Sequence, residues 1–384
     1  MLKIKFENLL VILVLTLIVG YDTLMTTMLN RTILNLPVIL LICFSLLLCF
    51  RFLYIKKFTF FYILTSILLL ATSSVVFMST GGTNFLLYSL LILLLYDADI
   101  DVILKTYVIV SGAIVLGVFV LSILGVIPNL QFAQVRSSVL VIRNSFGFIY
   151  PTDFASHCFY LFIAWGYILR KRLIVLRTLV GLSLSFFIIK FCDARLNALS
   201  VLLATVIFIL MYVTKERKFK IYGILPYSAA IFSFIMFYLT YFFTWSSPLF
   251  VSLNNLFSMR LFLGKNAIDT YDIHLFGTTG VKFIGYGGTT ESVYSYNYVD
   301  SSYIQMLFYY GVVPVVLLVL IYVIASKRFY KQGMFLFLAL LSLITVNCMI
   351  EAFWVRPGYN IFMFALFASL LPNQYKTKDR IELS

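Results

Sequence analysis

Apolar runs of roughly 20 residues recur along this chain, near 8–29, 33–53, 58–78, 83–97, 104–126, 151–169, 173–190, 195–214, 221–244, 303–325, 334–350 and 357–371. A helix crossing a bilayer takes about 20 apolar residues, and a helix satisfies each backbone group within its own segment where water is absent. The pattern therefore predicts an all-α, polytopic integral membrane protein with about 12 transmembrane helices, the fourth the weakest. Composition agrees: 62% of the 384 residues are hydrophobic and 11% are charged, against roughly 45–50% and about 25% in soluble domains. A soluble enzyme, a disordered chain and a secreted disulfide scaffold are excluded on that balance. The first run, MLKIKFENLLVILVLTLIVG, has the basic start of a signal peptide without a small-residue cleavage site, and reads as a retained first span. Cys43, Cys49, Cys158, Cys192 and Cys348 lie in or beside apolar runs with no metal or redox spacing, so packing is expected of them.

The formal charge of +14 would suggest nucleic acid in a soluble protein. In a membrane protein it reads as topology, because basic residues gather in cytoplasmic loops. With the N-terminus inside, 20 of the 29 Lys and Arg residues are cytoplasmic, concentrated in RKRLIVLR (170–177), KERKFK (215–220) and SKRFYK (326–331). Both termini are then cytoplasmic, and omitting the fourth span would turn those three loops outward. The acidic DADID stretch at 97–101 falls inside and carries no expected role. Nine basic residues remain outside: Arg31, Arg136, Arg143, Lys190, Arg195, Arg260, Lys265, Lys282 and Arg356. Six of the nine are Arg, against seven of the 20 inside. Two-pronged binding of phosphate or carboxylate favours Arg, so the excess points to an anionic ligand on the outer side.

Three regions follow. Residues 1–244 form nine spans with short loops and an Arg-bearing outer loop at 127–150. Residues 245–302 form a large extracellular loop between the ninth and tenth spans, and 303–384 form three spans with a cytoplasmic tail. The large loop exceeds the usual connection length. Within it, LFVSLNNLFSMRLFLGKNAI (249–268) places Phe250, Leu253, Leu256, Phe257 and Leu261 at roughly helical spacing, which predicts one interfacial helix holding Arg260 and Lys265 at headgroup depth. Gly277, Gly280, Gly285, Gly287 and Gly288 lack the strand–turn–helix setting of a phosphate cradle and read as turns.

Several outer constellations carry chemistry. QVRSSVLVIRNSFGFIYPTDF (134–154) sets Arg136 and Arg143 seven apart, able to share one face toward a lipid-linked diphosphate or to snorkel as interface arginines. KFCDARLNALS (190–200) brings Asp193 and Arg195 to the mouth of the eighth span, as a mutual pair or as ligand groups. Asp300 precedes the tenth span, with Tyr303 one turn on; its carboxylate suits a proton acceptor or a helix cap. His157 is an intramembrane ionisable group, functional or structurally hydrogen-bonded. Neither it nor His274 has a partner at metal-ligand spacing, so no metal site is expected. Glu351 and Arg356, in EAFWVRPG, read as a local ion pair or as functional groups.

On RNSFGFIYP, DARLNALS, the Arg260 region and YVDSSYIQMLFYYG, the chain resembles Wzy-type polysaccharide polymerases of the O-antigen polymerase and ligase superfamily, particularly capsule and exopolysaccharide polymerases of Gram-positive bacteria. Arg136, Arg143, Gly147 and Phe148 match an Arg-containing outer loop ahead of a Gly-Phe segment. Ala194-Arg195 matches a Ser-Arg at a span start, with Ala for Ser. Arg260 matches the large-loop Arg, without the Trp often near it, and Asp300, Ser301, Ser302 and Tyr303 match an acidic or His residue before a small polar residue and Tyr.

The resemblance implies glycosyl transfer at the outer leaflet of a bacterial plasma membrane, with undecaprenyl diphosphate-linked oligosaccharides as donor and acceptor. It also implies membrane lipid as a partner, with a flippase and a chain-length regulator as partner proteins. Under it, Arg195 and Arg260 stabilise the departing diphosphate, Arg136 and Arg143 hold phosphate, Tyr303 contacts substrate, and Asp300 accepts the proton with Glu291 and His157 in reserve. No cofactor, metal or nucleic acid is expected. Two alternatives stand beside it. One is a ligase of the same superfamily, against which the absence of His at position 300 counts. The other is a lipid-linked oligosaccharide flippase, which calls for central charges and repeated halves.

Overall fold

The computed structural model describes residues 6–29, 36–54, 60–96, 98–136, 139–170, 172–290 and 296–368. Over these residues the regular structure is helical apart from one hairpin. The N-terminal helices are α1 (Phe6–Leu24), α2 (Leu36–Tyr54), α3 (Phe60–Thr80), α4 (Asn84–Leu94) and α5 (Ile100–Ile123). The hairpin, β1 (Gln131–Arg136) with β2 (Val139–Asn144), leads into α6 (Pro151–Ile168), α7 (Ile174–Phe187) and α8 (Arg195–Val213). Then come α9 (Ser228–Tyr241), α10 (Pro248–Leu256), α11 (Arg260–Thr270), α12 (Ser302–Tyr309), α13 (Val312–Lys331), α14 (Phe335–Asn347) and α15 (Ile361–Ala368). Six helices are long and apolar enough to cross a membrane: Tyr62–Thr80, Ile100–Ile123, Ile174–Cys192, Arg195–Val213, Lys220–Tyr241 and Val312–Lys331. Asn8–Leu24, Leu36–Phe52, Asn84–Leu94 and Phe335–Asn347 are shorter apolar helices.

Charge collects at two poles of this bundle. At one, Arg51 donates to the carbonyls of Leu94 and Tyr96, and Arg177 to that of Gly166 at 3.2 Å. Arg170 there grips Asp101 in a two-pronged pair at 2.9 and 3.1 Å. Asp99 caps α5 by accepting from the Asp101 N–H at 2.8 Å. The DADID stretch thus has a job that its sequence did not disclose: it starts one helix and ties it to the end of another. At the opposite pole lie Asp22, Arg143, Asp193, Arg260, Asp300, Glu351 and Arg356.

Helices break at that second pole, and each break is repaired by a distant segment. The final turn of α7 widens into a π turn, Ile188–Cys192. Its Phe191 and Cys192 carbonyls accept from Asn144 Nδ2 at 3.1 Å and Arg143 Nε at 3.0 Å, which seats the hairpin on the helix. The run at 303–325, expected as one helix, is interrupted at Tyr310–Gly311 between α12 and α13. The Val312 and Val313 N–H groups donate instead to His274 and Leu275 carbonyls at 3.1 and 3.0 Å, and Thr278 N–H to Phe308 O at 2.7 Å. An irregular segment of the large loop therefore fills the gap, as unpaired backbone in an apolar setting demands.

The single interfacial helix expected over 249–268 is two helices. Ser258 and Met259 stand at φ 50° and 70° between α10 and α11, and Asn254 Oδ1 accepts the Phe262 N–H at 3.0 Å, capping α11 from outside. Between α14 and α15, residues 351–355 and 357–360 are buried although none is helical. This segment, expected as a short outer connection, instead runs through the protein interior.

Candidate functional site

The break before α11 puts Arg260 at the helix start with its guanidinium turned inward. Its Nη2 lies 3.2 Å from Asp300 Oδ2, the two side chains 14% and 21% exposed. Its Nε donates to Ile350 O at 3.3 Å and its Nη1 to Ser258 O at 3.0 Å. Two carbonyls from separate segments thus fix the plane of the group, while the third direction meets a carboxylate. Burial raises Asp300 above the ordinary carboxylate range, with Arg260 and Arg143 pulling it back.

Arg143 closes the cluster from the hairpin. It pairs in register with Phe132, is nearly buried, and besides Cys192 O donates to the Tyr150 hydroxyl at 3.0 Å and Gln134 Oε1 at 3.3 Å. Tyr150 stacks on Tyr286 with centroids 5.4 Å apart, and Tyr286 meets Phe132 and Tyr296 at 5.5 and 5.3 Å. These rings clamp the large loop over the hairpin.

Glu351 lies behind the pair on the buried 348–360 segment. Its Oε1 accepts from Asn197 Nδ2 at 3.1 Å, and its backbone carbonyl accepts from Ser302 Oγ at 2.5 Å. Burial pushes its carboxyl from 4.5 up to about 8, Arg260 opposes that rise, and Asp300 and Asp153 add to it. Burial thus favours the protonated form of Glu351 near neutral pH. Between pH 4.5 and about 8 the folded state holds a proton that the unfolded chain has released, so stability falls as pH rises through that window. Glu351→Gln, neutral throughout and still able to accept from Asn197, should flatten that fall. Thermal unfolding in lipid nanodiscs at pH 5 to 9 checks this, and a slope equal to the parent's would remove Glu351 as its source.

The other expected residues are placed as follows. Arg195 opens α8 with its side chain 58% exposed, and its Nε donates to Asp193 Oδ1 at 3.0 Å; it does not touch the Arg260–Asp300 pair. Arg136 is described in its backbone, paired with Val139 at the turn end of the hairpin, so the strand register separates it from Arg143. His157 is fully buried, bonded through Nε2 to Thr26 Oγ1 at 2.9 Å and stacked on Tyr359 at 3.9 Å. Tyr303 points into the core, its hydroxyl donating to Thr345 O at 2.8 Å, and Trp354 packs edge-on against it at 5.4 Å. Glu291 lies outside the described residues.

Arg356 pairs with Asp22 rather than Glu351, at 2.9 Å, and Gly358 N–H donates to the same carboxylate at 2.9 Å. Glu351, Asn197 and Asp22 were the groups that pattern reading underweighted. A connection as apolar as Ala352-Phe353-Trp354-Val355 was the available sign that EAFWVRPGYN is buried. No cluster of three or more metal-ligating side chains occurs among the described residues. No family model, curated protein or solved structure matches this chain.

Chemically, the arrangement offers a fixed guanidinium in a poorly hydrated site, a second guanidinium beyond it, one carboxylate raised toward the range of a useful base, and one carboxylic acid. Such a set can stabilise charge developing on a departing anion and accept one proton.

Proposed function

We propose that this chain polymerises lipid diphosphate-linked oligosaccharides at the outer face of a bacterial plasma membrane, as a Wzy-type polymerase. On this reading the four shorter apolar helices, α6 and α15 join the six long ones to make about twelve passes with both termini cytoplasmic, and the Arg260 pole faces outward. The observation that carries the proposal is the Arg260–Asp300 contact at 3.2 Å, with Arg143 and Glu351 converging on it from distant parts of the chain. Charge gathered at the two poles, away from the middle of the bundle, suits group transfer at a membrane surface better than carriage across it.

In the proposed reaction an acceptor sugar hydroxyl attacks the anomeric carbon of the donor chain. The bond from that carbon to the diphosphate oxygen breaks, Asp300 takes the hydroxyl proton, and undecaprenyl diphosphate leaves with the bonding electrons. Arg260 faces the charge that grows on the leaving oxygen, and Arg143 holds phosphate beside it. Arg195, exposed at the head of α8, and Arg136 would act by meeting the second lipid-linked unit at the rim.

The test is purified protein in nanodiscs with undecaprenyl diphosphate-linked repeat units. A ladder of products is expected on a gel. Translocation of labelled units without a ladder overturns the proposal in favour of a flippase, and a single transfer to a different acceptor does so in favour of a ligase.

A further inference from the structure

A cavity of about 280 Å³ lies next to the Arg260–Asp300 cluster, between α1, α4, α12 and the buried 351–356 segment. Its wall is aromatic, built from Tyr88, Tyr298, Tyr309, Tyr310 and Trp354. Polar groups share that wall: the amides of Asn84 and Gln305, the Ser302 hydroxyl, and the Asp22–Arg356 pair. Asn84 is exposed and stands at the rim. Ligand pockets of about 300–1,000 Å³ usually combine such apolar walls with a few convergent polar groups. This one is at the small end, too small for a lipid-linked repeat unit and suited to a single ring.

Three features select the ligand. Tyrosine faces pack against the C–H faces of a pyranose, and amide, hydroxyl and carboxylate groups bond its hydroxyls. The fixed charges cancel, because Arg356 is already paired with Asp22, so the cavity offers no net attraction to an anion and sets a carboxylate against one. The cavity also abuts the chemistry: Ser302 Oγ accepts the Trp354 N–H at 3.1 Å and donates to Glu351 O at 2.5 Å, and Tyr298 is two residues from Asp300.

We infer that this cavity binds the terminal neutral sugar of the acceptor oligosaccharide and presents its hydroxyl toward Asp300. Which saccharide end it serves rests on the polymerase reading; binding of a neutral sugar does not. Trp354 is a built-in reporter. With Trp165→Phe and Trp245→Phe it becomes the sole tryptophan of the chain, which has three.

The experiment titrates this protein in nanodiscs with lipid-free methyl glycosides of glucose, galactose, N-acetylglucosamine, rhamnose and glucuronic acid. At least one neutral glycoside should shift Trp354 emission saturably, and the glucuronide should bind at least tenfold more weakly. Gln305→Leu and Asn84→Leu should each weaken the neutral sugar at least tenfold. No saturable change with any neutral glycoside, equal binding of the glucuronide, or unchanged affinity in both Leu variants overturns the inference. Sugar binding without a product ladder would sink the polymerase reading alone, and a ladder without sugar binding would sink the cavity alone.

Discussion

Arg260→Lys and Asp300→Asn should each lower the rate of chain extension about 100-fold or more, the size expected when one positioned donor to developing charge, or the base itself, is removed. Lysine keeps the charge of Arg260 and loses its plane. It cannot reach Ile350 O, Ser258 O and Asp300 Oδ2 together from one rigid fork, as the guanidinium does. Asn keeps the shape of Asp300 and loses its basicity. Because the two residues touch, their effects should couple: the double variant should be about as slow as the worse single one, not the product of both. Initial rates of ladder formation, with thermal unfolding as the control for folding, measure this. Near-parent activity in Arg260→Lys would mean that planar diphosphate recognition does not operate there. Near-parent activity in Asp300→Asn would mean that Asp300 is not the proton acceptor.

The helical positions were legible because a bilayer-length apolar run needs only its own residues to form hydrogen bonds. The breaks were not, because their causes lie elsewhere in the chain. Nothing local in YYGVVPVV announces that His274 and Leu275 will supply carbonyls at Gly311, and nothing in IIKFC announces that Arg143 and Asn144 will use the carbonyls of a π turn. The site divides the same way. Arg260 and Asp300 could be picked out because charge is rare in this chain and the chemistry asks for both. His157 drew notice as an intramembrane ionisable group and Tyr303 through the family resemblance, yet each spends a polar atom on a core partner, Thr26 or Thr345. Glu351 was read as a functional group or an ion pair with Arg356 on an outer connection, whereas its aromatic neighbours carry it inside, where burial raises its carboxyl and Arg356 pairs with Asp22 instead.

Gly311→Ala should remove most of the folded protein, and it tests whether the large loop is structurally part of the site. Gly311 stands at φ 92° and ψ 173°, an essentially glycine-only conformation that costs an alanine about 1–3 kcal/mol. The added methyl would also collide with backbone atoms of Leu275 and Gly277, neither of which can rotate away. Relief requires the 274–278 segment to lift, which strips the Val312 and Val313 N–H groups of their acceptors at about 1–3 kcal/mol for each buried donor left unpaired. Those terms together rival the whole stability of a typical domain, roughly 5–15 kcal/mol. Gly280→Ala is the matched control: it also has positive φ, at 73°, but its methyl would meet nothing within 4 Å. The yield of monodisperse protein and its melting temperature should therefore drop sharply for Gly311→Ala and little for Gly280→Ala. Limited proteolysis of any surviving Gly311→Ala protein should cut near 274–278 first. Parent-like yield and protease resistance in Gly311→Ala would mean that the loop segment does not hold the gap between α12 and α13. The seat of Asp300, at the end of that same loop, would then need another anchor.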